Sequence, residues 1–310
     1  MTPEFFFGSP ENEPKAENEL DHVVYAGLYE DLPENAHLKI PDGTVEIAEN
    51  AFRDFQNLET VSIPASVQRI SACAFSGCAK LRAVEFAPGC TEIGDEAFAF
   101  CPELTSFYMP DSVHRIGEGC FEGCAVLSRI RLSEAVETIG SGAFAFCFNL
   151  RDVTIPDSCY LLEFNAFASC YSLEAVKLSD NMGLIDESTF EGCRSLTAVD
   201  LPRRLHKIGR RAFKGCKKLA SLILPMGLAE IGYDAFASCT SLVRIAIPKG
   251  VKELEDLDLF GGCDRLAEIS FGGSAEEWES LTHGRTLTVE RSDCSVATPR
   301  ISILDLKFGG

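Results

Sequence analysis

Phenylalanine recurs along this chain at a constant interval of 23 residues. Nine phenylalanines keep the interval, and a tenth, Phe260, follows the ninth after 24 residues. A period of roughly 20–50 residues indicates a solenoid, because one repeat cannot bury its own apolar side and must stack on its neighbours. The nine regularly spaced residues are Phe52, Phe75, Phe98, Phe121, Phe144, Phe167, Phe190, Phe213 and Phe236.

Each repeat carries further apolar positions at fixed distances from its phenylalanine. Leucine follows after six residues, and apolar side chains follow after nine and eleven, which gives the pattern L-x-x-V-x-I. The alternation at the end of this pattern predicts a short strand with one buried face. Each coil is therefore predicted to add one strand to a parallel sheet. The alanine–phenylalanine pair itself predicts a short turn or a single helical turn.

A second segment of the repeat, V-x-x-I-G, is predicted to turn the chain. It reaches an isoleucine or leucine 18 residues after each phenylalanine. Its glycines are expected to adopt backbone torsions that other residues avoid. These glycines are Gly94, Gly117, Gly140, Gly209 and Gly232.

The complete repeat resembles a known family. Segments such as "IPDSCYLLEFNAFASCYSLEAVKL" and "LPMGLAEIGYDAFASCTSLVRIAI" are similar to the coils of the bacterial BspA-like leucine-rich repeats. The resemblance covers residues 38–271. The segment "FGGSAEEWESL", which contains Trp278, resembles the unit that usually closes such a rod.

The resemblance implies a right-handed leucine-rich-repeat coil with a parallel β-sheet and about ten repeats. We expect three parts: an acidic N-terminal arm and cap over 1–37, the solenoid over 38–271, and a C-terminal capping unit over 272–310. Members of the family are often displayed on bacterial surfaces, where they bind proteins of the host or of neighbouring cells.

Nine of the fourteen cysteines lie in the repeat, three residues after its phenylalanine. Equivalent positions of stacked coils project parallel side chains, which cannot converge on one tetrahedral zinc ion. No histidine repeats beside them as a catalytic base would. Burial in the core is favoured, because a free cysteine behaves as a small apolar residue. Disulfides between neighbouring coils remain the alternative, since the expected strand spacing permits them.

Four further cysteines lie at other positions of the repeat. Cys90 and Cys159 occupy an inward valine position and Cys120 replaces an alanine, so all three are predicted to be buried. Cys73 is predicted to be exposed, and it is the one thiol expected to show reactivity.

No catalytic or cofactor-binding pattern occurs in the sequence. Phosphate-binding glycine loops, dinucleotide fingerprints, zinc-protease helices and nucleophile elbows are all missing. The five histidines are scattered. We therefore expect no enzymatic activity, no cofactor and no metal site.

The net charge of −19 disfavours nucleic acid as a partner. No stretch is apolar enough to span a membrane. The start "MTPEFFFGSP" does not read as a signal peptide, so the chain is expected to be cytoplasmic and monomeric, with secretion or surface display as the alternative.

Two exposed sets of residues are predicted to bind a protein partner. The first lies on the outward face of the predicted strands, where tyrosine and arginine suit an interface, although a merely solvated face is the alternative. The second is a run of basic residues from Arg203 to Lys218 that contains no acidic residue. The first set is Tyr108, Arg129, Arg131, Asp152, Thr154 and Lys177. The basic run is Arg203, Arg204, Lys207, Arg210, Arg211, Lys214, Lys217 and Lys218.

The basic run has two interpretations, a docking patch for an acidic partner or a solvated band. The arm over 1–37, with nine acidic residues and one lysine, is a candidate to fold onto it. The expected function is protein recognition in surface adhesion or host binding, with an intracellular scaffold or regulator as the alternative. Carbohydrate recognition would need more outward aromatic residues than Tyr108 and Tyr160.

Overall fold

A computed structural model describes residues 24–25, 36–255 and 259–304. The fold is a parallel β-solenoid of about ten turns of roughly 23 residues each, as the repeat predicts. The chain divides into two compact units, of which unit 1 ends at Cys147 and unit 2 begins at Phe148. Most of the predicted N-terminal arm, and its contact with the basic run, lie outside the described residues.

Unit 1 contains eleven strands among its described residues. Short and long strands alternate along the chain, and each kind pairs in parallel with its own kind in the next coil. The strands are β1 (Val24–Tyr25), β2 (Ala36–Lys39), β3 (Glu46–Ile47), β4 (Leu58–Ile63), β5 (Arg69–Ile70), β6 (Ala83–Phe86), β7 (Glu92–Ile93), β8 (Ser106–Tyr108), β9 (Arg115–Ile116), β10 (Arg129–Arg131) and β11 (Thr138–Ile139).

Unit 2 continues the alternation and ends in a helix and a small hairpin. Its described elements are β12 (Asp152–Thr154), β13 (Leu161–Leu162), β14 (Ala175–Lys177), β15 (Leu184–Ile185), β16 (Ala198–Asp200), β17 (Lys207–Ile208), β18 (Ser221–Ile223), β19 (Glu230–Ile231), β20 (Arg244–Ile247), β21 (Glu253–Leu254), β22 (Glu268–Phe271), α1 (Ala275–Thr282), β23 (Val289–Glu290), β24 (Val296–Ala297) and β25 (Arg300–Ile303).

Each coil contributes two strands, so the prediction of one strand per coil is wrong. The long strand is the predicted L-x-x-V-x-I segment. The second strand spans two residues and ends at the isoleucine or leucine of V-x-x-I, which was predicted to be a turn. In unit 1, Arg69 and Ile70 pair with Glu46 and Ile47 of the preceding coil. A two-residue strand leaves no alternation in the sequence by which it could be recognised.

The glycines of V-x-x-I-G do not have left-handed torsions, so that prediction is also wrong. The left-handed residues lie instead two positions before and two positions after the phenylalanine, as at Glu96 (φ 52°) and Phe100 (φ 54°) around Phe98. Glycine is needed at Gly117 because a β-carbon there would lie 2.4 Å from the backbone nitrogen of Asp95. Close stacking of neighbouring coils selects these glycines.

The repeated phenylalanines form a stack inside each unit. Their side chains are fully buried. Ring centroids of successive coils lie 5.1–5.7 Å apart from Phe52 to Phe144 and 5.5–5.9 Å apart from Phe167 to Phe260, with nearly parallel planes. Offset stacking of this kind adds to the stabilisation from burial.

The nine repeated cysteines are fully buried, and all fourteen cysteines of the chain are free thiols. The thiol of such a cysteine donates a hydrogen bond to the phenylalanine carbonyl of the preceding coil, with Sγ–O distances of 3.1–3.3 Å. The side chain thus fills an apolar position and also bonds to the adjacent turn. This bond is made by Cys78, Cys101, Cys124, Cys147, Cys193, Cys216, Cys239 and Cys263.

The segment that follows the long strand β22 forms the helix α1. Ser274 caps this helix and exchanges hydrogen bonds with Glu277 in a capping box. The Trp278 ring lies 5.3 Å from the ring of Phe271 at the end of β22. The helix thereby places an aromatic side chain against the last strand of the repeat pattern, while the capping role of 272–310 stays a prediction.

Candidate functional site

The outward face of the long strands carries the first predicted set, which divides between the two units. In unit 1, Tyr108 pairs with Arg131 and Ser106 pairs with Arg129 across β8 and β10. Tyr108 is 51% exposed. The Arg131 guanidinium donates to Asp111 at 2.6 Å, so it lies fixed beside the tyrosine. This part of the face joins an aromatic ring to two cations.

In unit 2, the corresponding face carries threonine, lysine and aspartate side chains. Thr154 pairs with Lys177, and Lys177 pairs with Asp200, on neighbouring strands β12, β14 and β16. Asp152 pairs with Ala175, and all of these side chains are exposed. The alternation of exposed and buried residues along each strand confirms that these positions point outward, whereas their role in binding stays a prediction.

Four of the eight cations in the basic run pair with acidic residues of following coils. Lys207 pairs with Glu230 at 2.8 Å, and Arg210 pairs with Glu255 at 2.8 Å. Lys214 lies 2.6 Å from Asp234, which also approaches Arg211 at 4.0 Å. Sequence reasoning missed these partners, although Glu230 stands 23 residues after Lys207 and Asp234 stands 23 residues after Arg211.

These ion pairs shift the pKa values of their members. The hydrogen bond from Arg210 and the backbone N–H of Tyr233 hold the pKa of Glu255 below its usual range. The hydrogen bond to Glu230 raises the pKa of Lys207. Both groups stay charged at neutral pH, so this part of the run presents little net positive charge.

Four cations of the basic run have no carboxylate partner among the described residues. Arg203, Lys217 and Lys218 are exposed, and no described carboxylate lies within ion-pair distance of them. Arg204 bonds to the amide oxygen of Asn181 at 3.3 Å. The remaining positive surface is therefore smaller than the sequence suggests.

An aromatic stack that sequence reasoning missed precedes Lys217 at the same repeat position. The rings of Phe148 and Tyr171 stack at 4.9 Å, and the guanidinium of Arg194 lies 4.1 Å from the Tyr171 ring centroid. The 23-residue spacing of Tyr171, Arg194 and Lys217 was the signal that could have revealed it. Such a cation–π contact adds modestly to stability at an exposed site.

The surroundings of Cys73 do not favour a reactive thiol, and the reactivity of this cysteine stays a prediction. Its side chain is half-buried, and its sulfur lies 3.7 Å from the carboxylate of Glu96. Burial and this carboxylate both raise the pKa of Cys73, which lowers the fraction of nucleophilic thiolate. Cys294, which sequence reasoning did not single out, is the exposed cysteine.

No group of three potential metal ligands occurs among the described residues. Two shallow depressions of about 160 and 350 Å³ border Lys207 and Arg210, and they are lined by the ion pairs described above. Over the same residues, no helix has the length and apolar character needed to cross a bilayer.

Comparison with known proteins places this geometry in a family. The sequence model described as "BspA type Leucine rich repeat region" matches residues 45–174 and 160–285, with six copies. Together these ranges cover most of the chain. No match is found among curated protein sequences.

Several solved structures are similar to this chain. A leucine-rich repeat protein of Eubacterium ventriosum has a TM-score of 0.51 at 18% identity, over 76% of this chain and 74% of that one, a likeness that bears on the fold alone. A leucine-rich cell surface protein of Faecalibacterium prausnitzii is 25% identical over 81% of this chain and 91% of its own, with a TM-score of 0.43. A leucine-rich repeat protein of Treponema pallidum is 31% identical over 59% and 77%, with a TM-score of 0.45.

Proposed function

The chain belongs to the family of BspA-type leucine-rich repeat proteins, and we propose that it is a protein-binding module without catalytic activity. Its principal contact surface is the outward face of the long strands. Tyr108, Arg129 and Arg131 form the centre of this surface in unit 1. Asp152, Thr154 and Lys177 form the corresponding surface in unit 2. Proteins of this family are typically binding modules.

The observation that carries the proposal is the side-chain arrangement around Tyr108. An aromatic ring that is half exposed on a rigid parallel sheet lies beside an arginine fixed by Asp111. Tyrosine and arginine are the residues most enriched in interface hot spots, and a rigid scaffold lowers the entropy lost on binding. An exposed sheet face suits another protein surface better than a small molecule, which binds in concave sites.

The second proposed contact is the part of the basic run whose cations have no carboxylate partner among the described residues. Arg203, Lys217 and Lys218 would attract acidic side chains of a partner, with Arg204 beside them. The paired residues Lys207, Arg210 and Arg211 would contribute less, because their carboxylate partners must first be displaced.

Photo-crosslinking in native cells tests the strand face. A benzophenone-bearing phenylalanine replaces Tyr108 in one variant and Tyr160 in the control. Tyr160 is 58% exposed and lies outside the long strands. We expect a discrete protein adduct from position 108 and none from position 160. Equal adducts from both positions, or none from position 108, would contradict the proposal.

A second measurement determines whether the protein acts at the cell surface or inside the cell. Adhesion at the cell surface is the function that we propose first, because members of the resembled family are often displayed there. An intracellular scaffold is the alternative, and the fourteen free thiols favour it because reducing compartments keep cysteines unpaired. External protease treatment of intact cells separates the two: surface protein is digested, whereas internal protein survives.

A further inference from the structure

A different face of unit 1 exposes two phenylalanines at an unfavourable backbone position. Phe100 and Phe146 stand two residues after the buried phenylalanines of their coils, with φ of 54° and 60°. Their side chains are 53% and 42% exposed. In the same position, the coils of Gly77 and Gly123 carry glycine with φ of 74° and 70°. A bulky residue with left-handed torsions is uncommon, and burial does not compensate for it here.

The ring of Phe100 lies across the neighbouring coil. A β-carbon on Gly123 would lie 2.6 Å from Cδ1 of Phe100, so the glycine leaves room for the ring. The backbone N–H of Phe100 bonds to the carbonyl of Glu122 at 2.7 Å, which fixes the turn beneath the ring. Phe146 occurs at the same repeat position 46 residues later. The two aromatic side chains thus project from a rigid surface.

Three carboxylates of unit 1 accompany these rings. Glu96 and Glu122 converge over Gly119, where a β-carbon would lie 3.3 Å from atoms of both side chains. Glu118 is exposed, and its carbonyl accepts a hydrogen bond from the backbone of Glu96 at 2.7 Å. None of the three pairs with a described cation. Burial, and then the charges of Glu96 and Glu118, raise the pKa of Glu122.

We propose that this turn face, formed by Phe100, Phe146, Glu96, Glu118 and Glu122, is a second protein-binding surface that takes a basic segment bearing apolar side chains. The exposed rings supply apolar anchors. A lysine or arginine between them would relieve the repulsion among the carboxylates, so the charge of the face selects a cationic partner. The inference does not depend on the strand face, since the two surfaces share no residue.

Fluorescence anisotropy with a defined probe tests the proposal. The probe is a labelled dodecapeptide of alternating lysine and leucine pairs, and its counterpart has glutamate in place of lysine. The full chain is titrated at low ionic strength. We expect the lysine peptide to bind, and we expect the glutamate peptide to show no binding that depends on Phe100 or Phe146.

Two double variants separate the apolar and the charged contributions. Phe100→Gly with Phe146→Gly introduces the residue that neighbouring coils already carry, and we expect at least about tenfold weaker binding, as for loss of one hot-spot anchor. Glu118→Gln with Glu122→Gln should weaken binding and flatten its salt dependence. Ser238→Gly, at the same repeat position in unit 2, is the matched control and should bind as the unchanged chain does.

Several results would overturn the proposal. Unchanged binding by the phenylalanine variant, or equal binding of the two peptides, would remove the face as a selective site. A large fall in Tm for the same variant would show that the rings serve packing. Phenylalanine-dependent flotation with phosphatidylcholine vesicles, or phenylalanine-dependent dimers in sedimentation, would assign the face to a lipid surface or to a second copy of this chain.

Discussion

Two coils with the same buried residues present opposite surfaces, one in unit 1 and one in unit 2. Glu122 of unit 1 occupies the repeat position of Lys214 in unit 2, and Glu118 occupies that of Arg210. Phe100, in the coil before that of Glu122, stands at the repeat position of Gly215, where the coil of Glu122 itself carries Gly123. The fully buried phenylalanine and cysteine positions are the same in both. The comparison shows that buried positions specify the coil, while exposed positions can vary and determine the charge and polarity of its surface.

The largest expected effect comes from the buried phenylalanines. Phe121→Ala and Phe213→Ala each remove a ring stacked on both sides, and each should lower the free energy of unfolding by about 3–5 kcal/mol. Phe100→Ala, as the exposed control, should change it by less than about 0.5 kcal/mol. Urea denaturation measures all three. A clear difference in the loss of unfolding free energy between the two buried positions would show that the phenylalanine stacks of the two units are not equivalent.

Glycines at close contacts between coils should give the next largest effect. A β-carbon would lie 2.4 Å from backbone at Gly117 in unit 1 and 2.7 Å from backbone at Gly209 in unit 2. We expect alanine at either position to cost about 1–3 kcal/mol through overpacking. Gly227→Ala is the control, because its β-carbon would lie 3.7 Å from the nearest atom, an ordinary contact, and its torsions are not left-handed. Equal stability of all three variants would contradict the close-packing explanation.

Two glutamates should respond to pH in opposite directions. The raised pKa of Glu122 gives a stabilising contribution that is present below the unfolded-state value and is lost as pH rises through the folded-state value. The lowered pKa of Glu255 gives a contribution that is present above the unfolded-state value and is lost as pH falls through the folded-state value. Carbon-detected NMR titration of the carboxyl groups should place the two midpoints on opposite sides of about 4.3.

Stability measurements on variants check the same signs. Near neutral pH, Glu122→Gln should stabilise the protein slightly and Glu255→Gln should destabilise it. Both effects should fade in acid, where the carboxyl groups are protonated in folded and unfolded chains alike. Effects of the same sign for the two variants would show that their surroundings are not opposed.

The smallest expected effect comes from the exposed ion pairs of the short strands. In unit 1, Arg69 lies between Glu46 and Glu92, while in unit 2 Lys207 pairs with Glu230. Removing either cation should cost about 0.2–1 kcal/mol, and the loss should shrink at high salt because these side chains are solvated. Thermal unfolding at low and high ionic strength measures it. A larger, salt-independent loss would indicate packing by the side-chain stem.

Much of the fold follows from the 23-residue period, because apolar side chains that recur in a stack must be buried together. The positions of Phe121 and Cys124 could be predicted in this way. The second strand at Ile139 could not, since two residues show no alternation. The role of Gly117 also stayed hidden, because a left-handed turn and a close contact both select glycine.

The candidate surfaces were less accessible from the sequence. Outward strand residues such as Tyr108 follow from alternation alone. Phe100 was missed because "AFAFC" reads as continuous core, and nothing in a phenylalanine marks left-handed torsion. The ion pair between Arg210 and Glu255 was missed because its partners are 45 residues apart, which does not match a single repeat.

The most direct test of the account replaces exposed residues of unit 1 with the residues that occupy the same repeat positions in unit 2. Glu96→Arg, Phe100→Gly, Glu118→Arg and Glu122→Lys together give unit 1 the turn-face residues of unit 2. If buried positions specify the fold and exposed positions select the partner, the circular dichroism spectrum should stay unchanged. The variant should then no longer bind the lysine peptide and should bind the glutamate peptide instead. Unfolding of this variant, or retained preference for the lysine peptide, would contradict the account.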